Sequence, residues 1–280
     1  MISIGEIRAR AYQNVVKQAY WQALGFCILF SLIIGGIGNI FKITIRFDEI
    51  YSDNWSVILS VFSIANIVGV MARLFLNNIL MLGLNKYFLD GAKTETFDFG
   101  AIGYGFQKEN YLSVVKGMFL KDLLLLAWGI LLLIPVVLLF IFEVRNFLII
   151  NIYYIIVVIC FYYKYYSYSL VPYLFSENTD LGARKAIYLS KKMAHGYIKK
   201  LFLLDISFFI WPAIIMFASF AFSILGLSSV IMFLGIIILL IYVVGILPYY
   251  QSARAYLYLE LKSLESNSDI VDDKILKVIE

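Results

Sequence analysis

The chain predicts an all-α membrane protein: six transmembrane helices arranged as three helical hairpins, with cytoplasmic amphipathic helices and both termini cytoplasmic. Three observations carry that prediction. Six windows of 17 or more residues are apolar and nearly free of charge. A hydrocarbon core of roughly 30 Å takes about 20 helical residues, so each window is long enough to cross one. The composition agrees, at 62% hydrophobic and 15% charged, where soluble domains carry about 25% charge. Lys and Arg also alternate strongly between successive connecting stretches, as loops on the two sides of a membrane do.

In chain order, residues 1–17 come first. Ile4, Ile7, Ala11 and Val15 fall on one helical face, which makes the segment amphipathic. No small-residue cleavage site follows, so the first span is expected to remain as an anchor. The spans fall at about 19–41, 56–82, 118–142, 147–168, 201–224 and 228–247. Gly35, Gly36 and Gly38 lie in the first and suit close helix contact or a helix end. Pro135 and Pro212 lie in the third and fifth, where they can kink the helix. A lead-in over about 99–117 precedes the third span; its Gly100, Gly103 and Gly105 suit a bend, and no Lys-Ser or Lys-Thr pair makes it a phosphate loop. Before the fifth span, Ala186, Leu189, Met193 and Tyr197 form an apolar stripe, with Arg184, Lys185, Lys191 and Lys192 around it. Ser263 to Asp269 reads as a polar linker, and Ile270 to Glu280 as a short helix. The expected organisation is one six-helix domain over 1–262, with hairpin units of about 1–90, 97–177 and 180–262, and a cytoplasmic tail over 263–280.

Orientation follows from the cations. Eighteen of the 23 Lys and Arg, Arg254 among them, fall before span one, in the even-to-odd loops or after span six; Lys42, Arg46 and Arg145 fall on the other side. The richer side is expected to be cytoplasmic. Net charge is only +4, which gives no reason to expect nucleic acid. Cys27 and Cys160 lie inside apolar runs and read as reduced, packed residues.

A spacing of 83 residues recurs. Lys116, Phe119, Leu120, Asp122 and Trp128 match Lys199, Phe202, Leu203, Asp205 and Trp211, and Tyr166, Ser169, Tyr173, Leu174 and Glu177 match Tyr249, Ser252, Tyr256, Leu257 and Glu260. Both units would start on the same side, as parallel repeats about an axis along the membrane normal. The repeat makes Asp122 and Asp205 the leading intramembrane candidates, since ionisable groups within spans are costly and usually functional. Facing a common centre, they could hold a cation or proton. Alternatively each sits in the first turn of its span, favoured by the helix dipole and a neighbouring Lys. Arg73 either pairs with one of them or extends to the interface. Arg184, Lys185, Lys191, Lys192, Lys199 and Lys200 are candidate contacts for anionic lipid. They serve equally to set topology. No constellation points to catalysis, a metal or a cofactor; His195 is the only histidine and has no Cys cluster beside it.

The stretches Trp128 to Pro135, Tyr166-Ser167-Tyr168-Ser169, Ala186 to Gly196, Leu201 to Trp211 and Pro248-Tyr249 resemble the domain-of-unknown-function 975 family of bacterial multi-pass membrane proteins. They are more distantly similar to the membrane domain attached to some glycerophosphodiester phosphodiesterases. The resemblance covers about 97–262. It implies a six-helix bacterial plasma-membrane protein and carries over no catalytic residue. The expected function is therefore non-enzymatic: an accessory, scaffolding or protective component whose partners are membrane lipids and another membrane protein or itself. The alternative is a transporter or channel for a small, lipid-like or peptide substrate.

Overall fold

A computed structural model describes residues 3–25, 27–29, 73–141, 147–224 and 229–279, which are helix and turn without a strand. Helix α1, Ile4–Ala11, starts with a capping box: Glu6 N–H donates to Ser3 Oγ at 3.2 Å and Ser3 N–H to Glu6 Oε2 at 2.7 Å. Two of the orphan donors at a helix start are thereby satisfied. The chain continues through a π-helical stretch, Tyr12–Ala19, into an apolar helical segment, Tyr20–Leu29. A second π-helical turn, Arg73–Asn77, leads into α2, Asn78–Thr94. Its cap is Glu95 in the left-handed region (φ 59°), whose N–H bonds Gly91 O.

Phe99–Phe106 is a 3-10 turn capped by Asp98, whose carboxylate accepts from Gly100 N–H at 2.9 Å. This is the bend expected of the glycine pattern, and Gly105 shows one reason for it: a Cβ there would meet Ile79 Cγ2 at 2.7 Å. Four long helices complete the fold with two short ones between: α3, Lys108–Ile141; α4, Phe147–Tyr168; α5, Val171–Glu177; α6, Ala183–Ala194; α7, Ile198–Ile224; and α8, Ser229–Ile279. Gly182 (φ 73°) and Gly196 (φ 82°) make the turns on either side of α6 at backbone angles that other residues rarely adopt.

Four stretches are long and apolar enough to cross a membrane: Lys108–Leu138, Ile150–Glu177, Ile198–Ala218 and Gly235–Ser266. They correspond to the last four expected spans. Of the first two, only the helical ends within 19–29 and 73–82 are described, and Gly35, Gly36 and Gly38 lie outside the described residues. So do Glu143 and Arg145. One expectation is overturned. Residues 263–269 are not a linker but part of the 51-residue helix α8. Serine competes for backbone bonds, yet here Ser263 Oγ and Ser266 Oγ donate to the carbonyls three residues earlier and the ladder persists.

Packing divides the molecule into two zones. A head gathers the buried residues around α2 and α5. On one side Ile7, Ala11 and Val15 meet Tyr87, Leu174, Phe208 and Leu257; on the other Ile79, Val114, Met118, Phe175 and Ile187 pack together. Beyond it the apolar side chains face outward, including Leu126, Ile130 and Leu133 of α3, Ile152, Ile155 and Ile159 of α4, and Ile210, Ile214 and Phe217 of α7. Water would penalise that exposure at about 25 cal/mol per Å², whereas lipid tails do not. The amphipathic stripes turn inward to the head. Ile7, Ala11 and Val15 are buried and Ile4 packs against them. On α6, Ala186 and Met193 are buried with Ile187, Ser190 and Ala194, while Leu189 and Tyr197 are half-buried.

Candidate functional site

The polar residues of the head form ties between distant parts of the chain. Asp205, about two turns into α7, accepts from Tyr166 OH of α4 at 2.9 Å and Tyr250 OH of α8 at 3.1 Å. Arg254, a turn after Tyr250, lies 3.6 Å from the same carboxylate and 5.8 Å from the Tyr250 ring centre. Glu177, which ends α5, accepts from Lys93 near the end of α2 and from Tyr258 and Lys262 of α8. Groups from α2 and α8 thus meet at one carboxylate on α5. Glu260, at the repeat position of Glu177, instead accepts from Lys200 at 2.9 and 3.0 Å.

The π-helical stretch has a structural use. It carries Asn14, buried to 4% exposure, whose amide donates to Gly91 O and to Tyr256 OH, each at 2.8 Å. Arg8 lies 5.0 Å from the Phe208 ring centre and 3.4 Å from Tyr249 OH, tying α1 to α7 and α8.

Among the described residues Asp122 and Asp205 share no partner. Asp122 accepts from Asn78 Nδ2 at 2.9 Å and pairs with Lys121 at 3.0 Å. It lines a groove along α3 that Asp205 does not reach. Arg73 opens the second π-helical turn, and its side chain lies outside the described residues. The six basic candidates divide. Arg184, Lys185 and Lys199 are exposed; Lys191 lies 5.3 Å from the Tyr168 ring centre, Lys192 pairs with Glu265 at 2.6 Å, and Lys200 belongs to Glu260. Cys27 and Cys160 are free thiols; the first is packed as expected, but the second is exposed on the outer face of α4 and not packed. Among the described residues no group of three or more His, Cys, Asp or Glu gathers at one point.

Sequence reasoning missed Arg254, Asn78 and the two tyrosines on Asp205. The sequence reading counts Arg254 among the topology-setting cations, yet its side chain is only 11% exposed. The available signal was its position one turn after Tyr250 on a helix continuous with the last span.

These features define an all-helical protein with helices fit to cross a membrane and an ion-paired head at one end of them. The chain belongs to the family described as Protein of unknown function (DUF975), which it matches over residues 1–265. No curated protein and no solved structure matches it.

Proposed function

We propose that this is a non-enzymatic integral membrane protein of the bacterial plasma membrane, an accessory, scaffolding or protective component of a larger membrane system. In this reading the chain crosses six times as three helical hairpins, with both termini and the head in the cytoplasm. The ionic lattice of the head supports it most directly. Asp205 and Glu177 are each held by three groups, which favours a fixed platform over groups that must exchange protons or ligands. The exposed bases Arg184, Lys185 and Lys199 leave a cationic face for anionic headgroups or an acidic partner.

Two experiments test this reading. Reporter fusions at residues 1 and 280 should both report the cytoplasm; opposite sides would end the six-span topology. Purification in mild detergent should bring down one defined membrane partner, lost when Arg184, Lys185 and Lys199 are changed together to Gln. Repeated recovery of the protein alone would count against an accessory role. A second reading, transport of a lipid-like substrate, draws on the groove along α3 that reaches Asp122. Vesicle flux abolished by Asp122→Asn would favour it over the first.

A further inference from the structure

A crevice of about 200 Å³ lies in the head between α2, α3, the turn after α4, and α8. That is the volume of about seven molecules of liquid water, room for one sugar ring and no more. Its lining carries polar groups that the protein itself leaves unmet. Asn85 of α2 is only 5% exposed, yet it lines the crevice. Among the described residues no hydrogen bond reaches its carboxamide. The same holds for the half-buried carboxamide of Gln251 on α8 and for the hydroxyls of Tyr168 and Tyr173, both buried residues. None of these polar ends is sealed inside the protein, so they open to the crevice.

The lining is also electrically neutral. Lys121 pairs with Asp122 at 3.0 Å and Arg254 lies 3.6 Å from Asp205, and neither carboxylate lines the crevice. An anion would find both counter-charges already answered, and a cation would find no carboxylate. An apolar guest would leave the two carboxamides unmet, which is costly at a buried site. A neutral group that both donates and accepts fits what remains. Carboxamides and phenols do both, and a hydroxyl is the group that answers either. Tyrosine rings form much of the remaining wall, and Tyr173 is held by stacking on Tyr258 at 5.2 Å between ring centres. Aromatic walls with a few placed polar groups are the usual make-up of small-ligand sites. The C–H faces of a sugar ring pack against such walls while its hydroxyls meet the polar groups.

We propose that this crevice binds one neutral sugar ring, with Asn85, Gln251, Tyr168 and Tyr173 as its hydrogen-bonding partners. The ring is that of a free sugar or of a glycolipid head. Met81, Lys121 and Leu125 line both the crevice and the apolar groove along α3, which gives a lipid tail a way out. The inference goes beyond the accessory role and depends on neither that role nor the six-span topology.

The test uses the full chain in an amine-oxide detergent, because sugar-headed detergents would compete. Binding of the methyl glycosides of glucose, galactose and mannose is read by ligand-observed NMR. At least one should bind saturably at one site. Asn85→Leu and Gln251→Leu should each weaken it about tenfold, the loss expected when a hydrogen bond to the ligand goes. Neither change should lower the melting temperature, because neither removes a hydrogen bond within the protein. Methyl glucuronide, which adds a negative charge, should displace the bound glycoside no better than methyl glucoside does. A short-chain glycosyldiacylglycerol that displaces it at about tenfold lower concentration identifies a lipid head as the source, and equal potency identifies a free sugar. No saturable binding by any of the three glycosides, or binding unchanged in both variants, would overturn the assignment and leave the crevice to water. Tenfold tighter glucuronide would overturn it in favour of an anion site, and diacylglycerol as potent as the glycolipid would remove the sugar from the lipid's recognition. Failure here with both reporters cytoplasmic would sink this inference alone.

Discussion

Gly117 sits in α3 where the ring of Phe175, fully buried, comes against its backbone. Glycine inside a helix ordinarily costs about 1 kcal/mol relative to alanine. Here the order reverses, because a methyl group would overlap a ring that cannot move into solvent. Gly117→Ala should destabilise the protein by about 1–3 kcal/mol, read as a lowered melting temperature in detergent; a raised one would show that Phe175 has room. Such effects were hidden in the sequence, where Gly117 is one small residue beside an apolar run. Asp122 and Asp205 stood out because charge in a span is rare and their spacing is regular. Their partners did not, since Tyr166 and Asn78 lie 39 and 44 residues away along the chain. Arg254 was concealed by ambiguity: a cation just beyond an apolar run sets topology as readily as it pairs inside a protein.

The helices that could be read from periodicity were those whose apolar residues face one environment throughout. Spans three to six met that condition and agree with α3, α4, α7 and the first part of α8. The stripes of α1 and α6 were equally legible, but not what covers them, because a bilayer surface and a protein core select the same residues. The 263–269 stretch of α8 was misread for a related reason: serine and asparagine favour turns locally, and a helix already nucleated upstream extends past them. The start of α1 gives a prediction at this scale. Bonds from the Ser3 backbone N–H and side chain hold the Glu6 carboxyl below its ordinary range. A depressed folded value means the carboxylate supports α1 above the usual Glu range and that support is lost as pH falls through the folded value. The protection of amides over residues 4–11, taken relative to their intrinsic exchange at each pH, should fall on acidification, and Ser3→Ala should flatten that dependence. An identical pH profile in the variant would remove the capping box as its cause.

The whole molecule has an ion-paired head and helices whose outer surfaces are left to lipid. Its assembly is summarised at Glu177, where Lys93 and Lys262 reach one carboxylate from positions 169 residues apart in sequence. A short amine-reactive cross-linker should join those two lysines within one molecule, and Glu177→Ala should reduce the yield. Cross-linking only between molecules would mean that α2 and α8 do not converge as described. That convergence was not readable beforehand, since charge counting assigns a cation to a side of the membrane and not to a neighbour. Helix α8 extends this further. Its 51 residues amount to a rod of about 76 Å, more than twice the thickness of the oil layer. The rod has one weak point: Pro248 lies inside it, where the missing N–H removes a backbone bond and lets the helix bend. A change of tilt in the arm before Pro248 can therefore be absorbed there, while Arg254 and Glu260 beyond it stay fastened to Asp205 and Lys200.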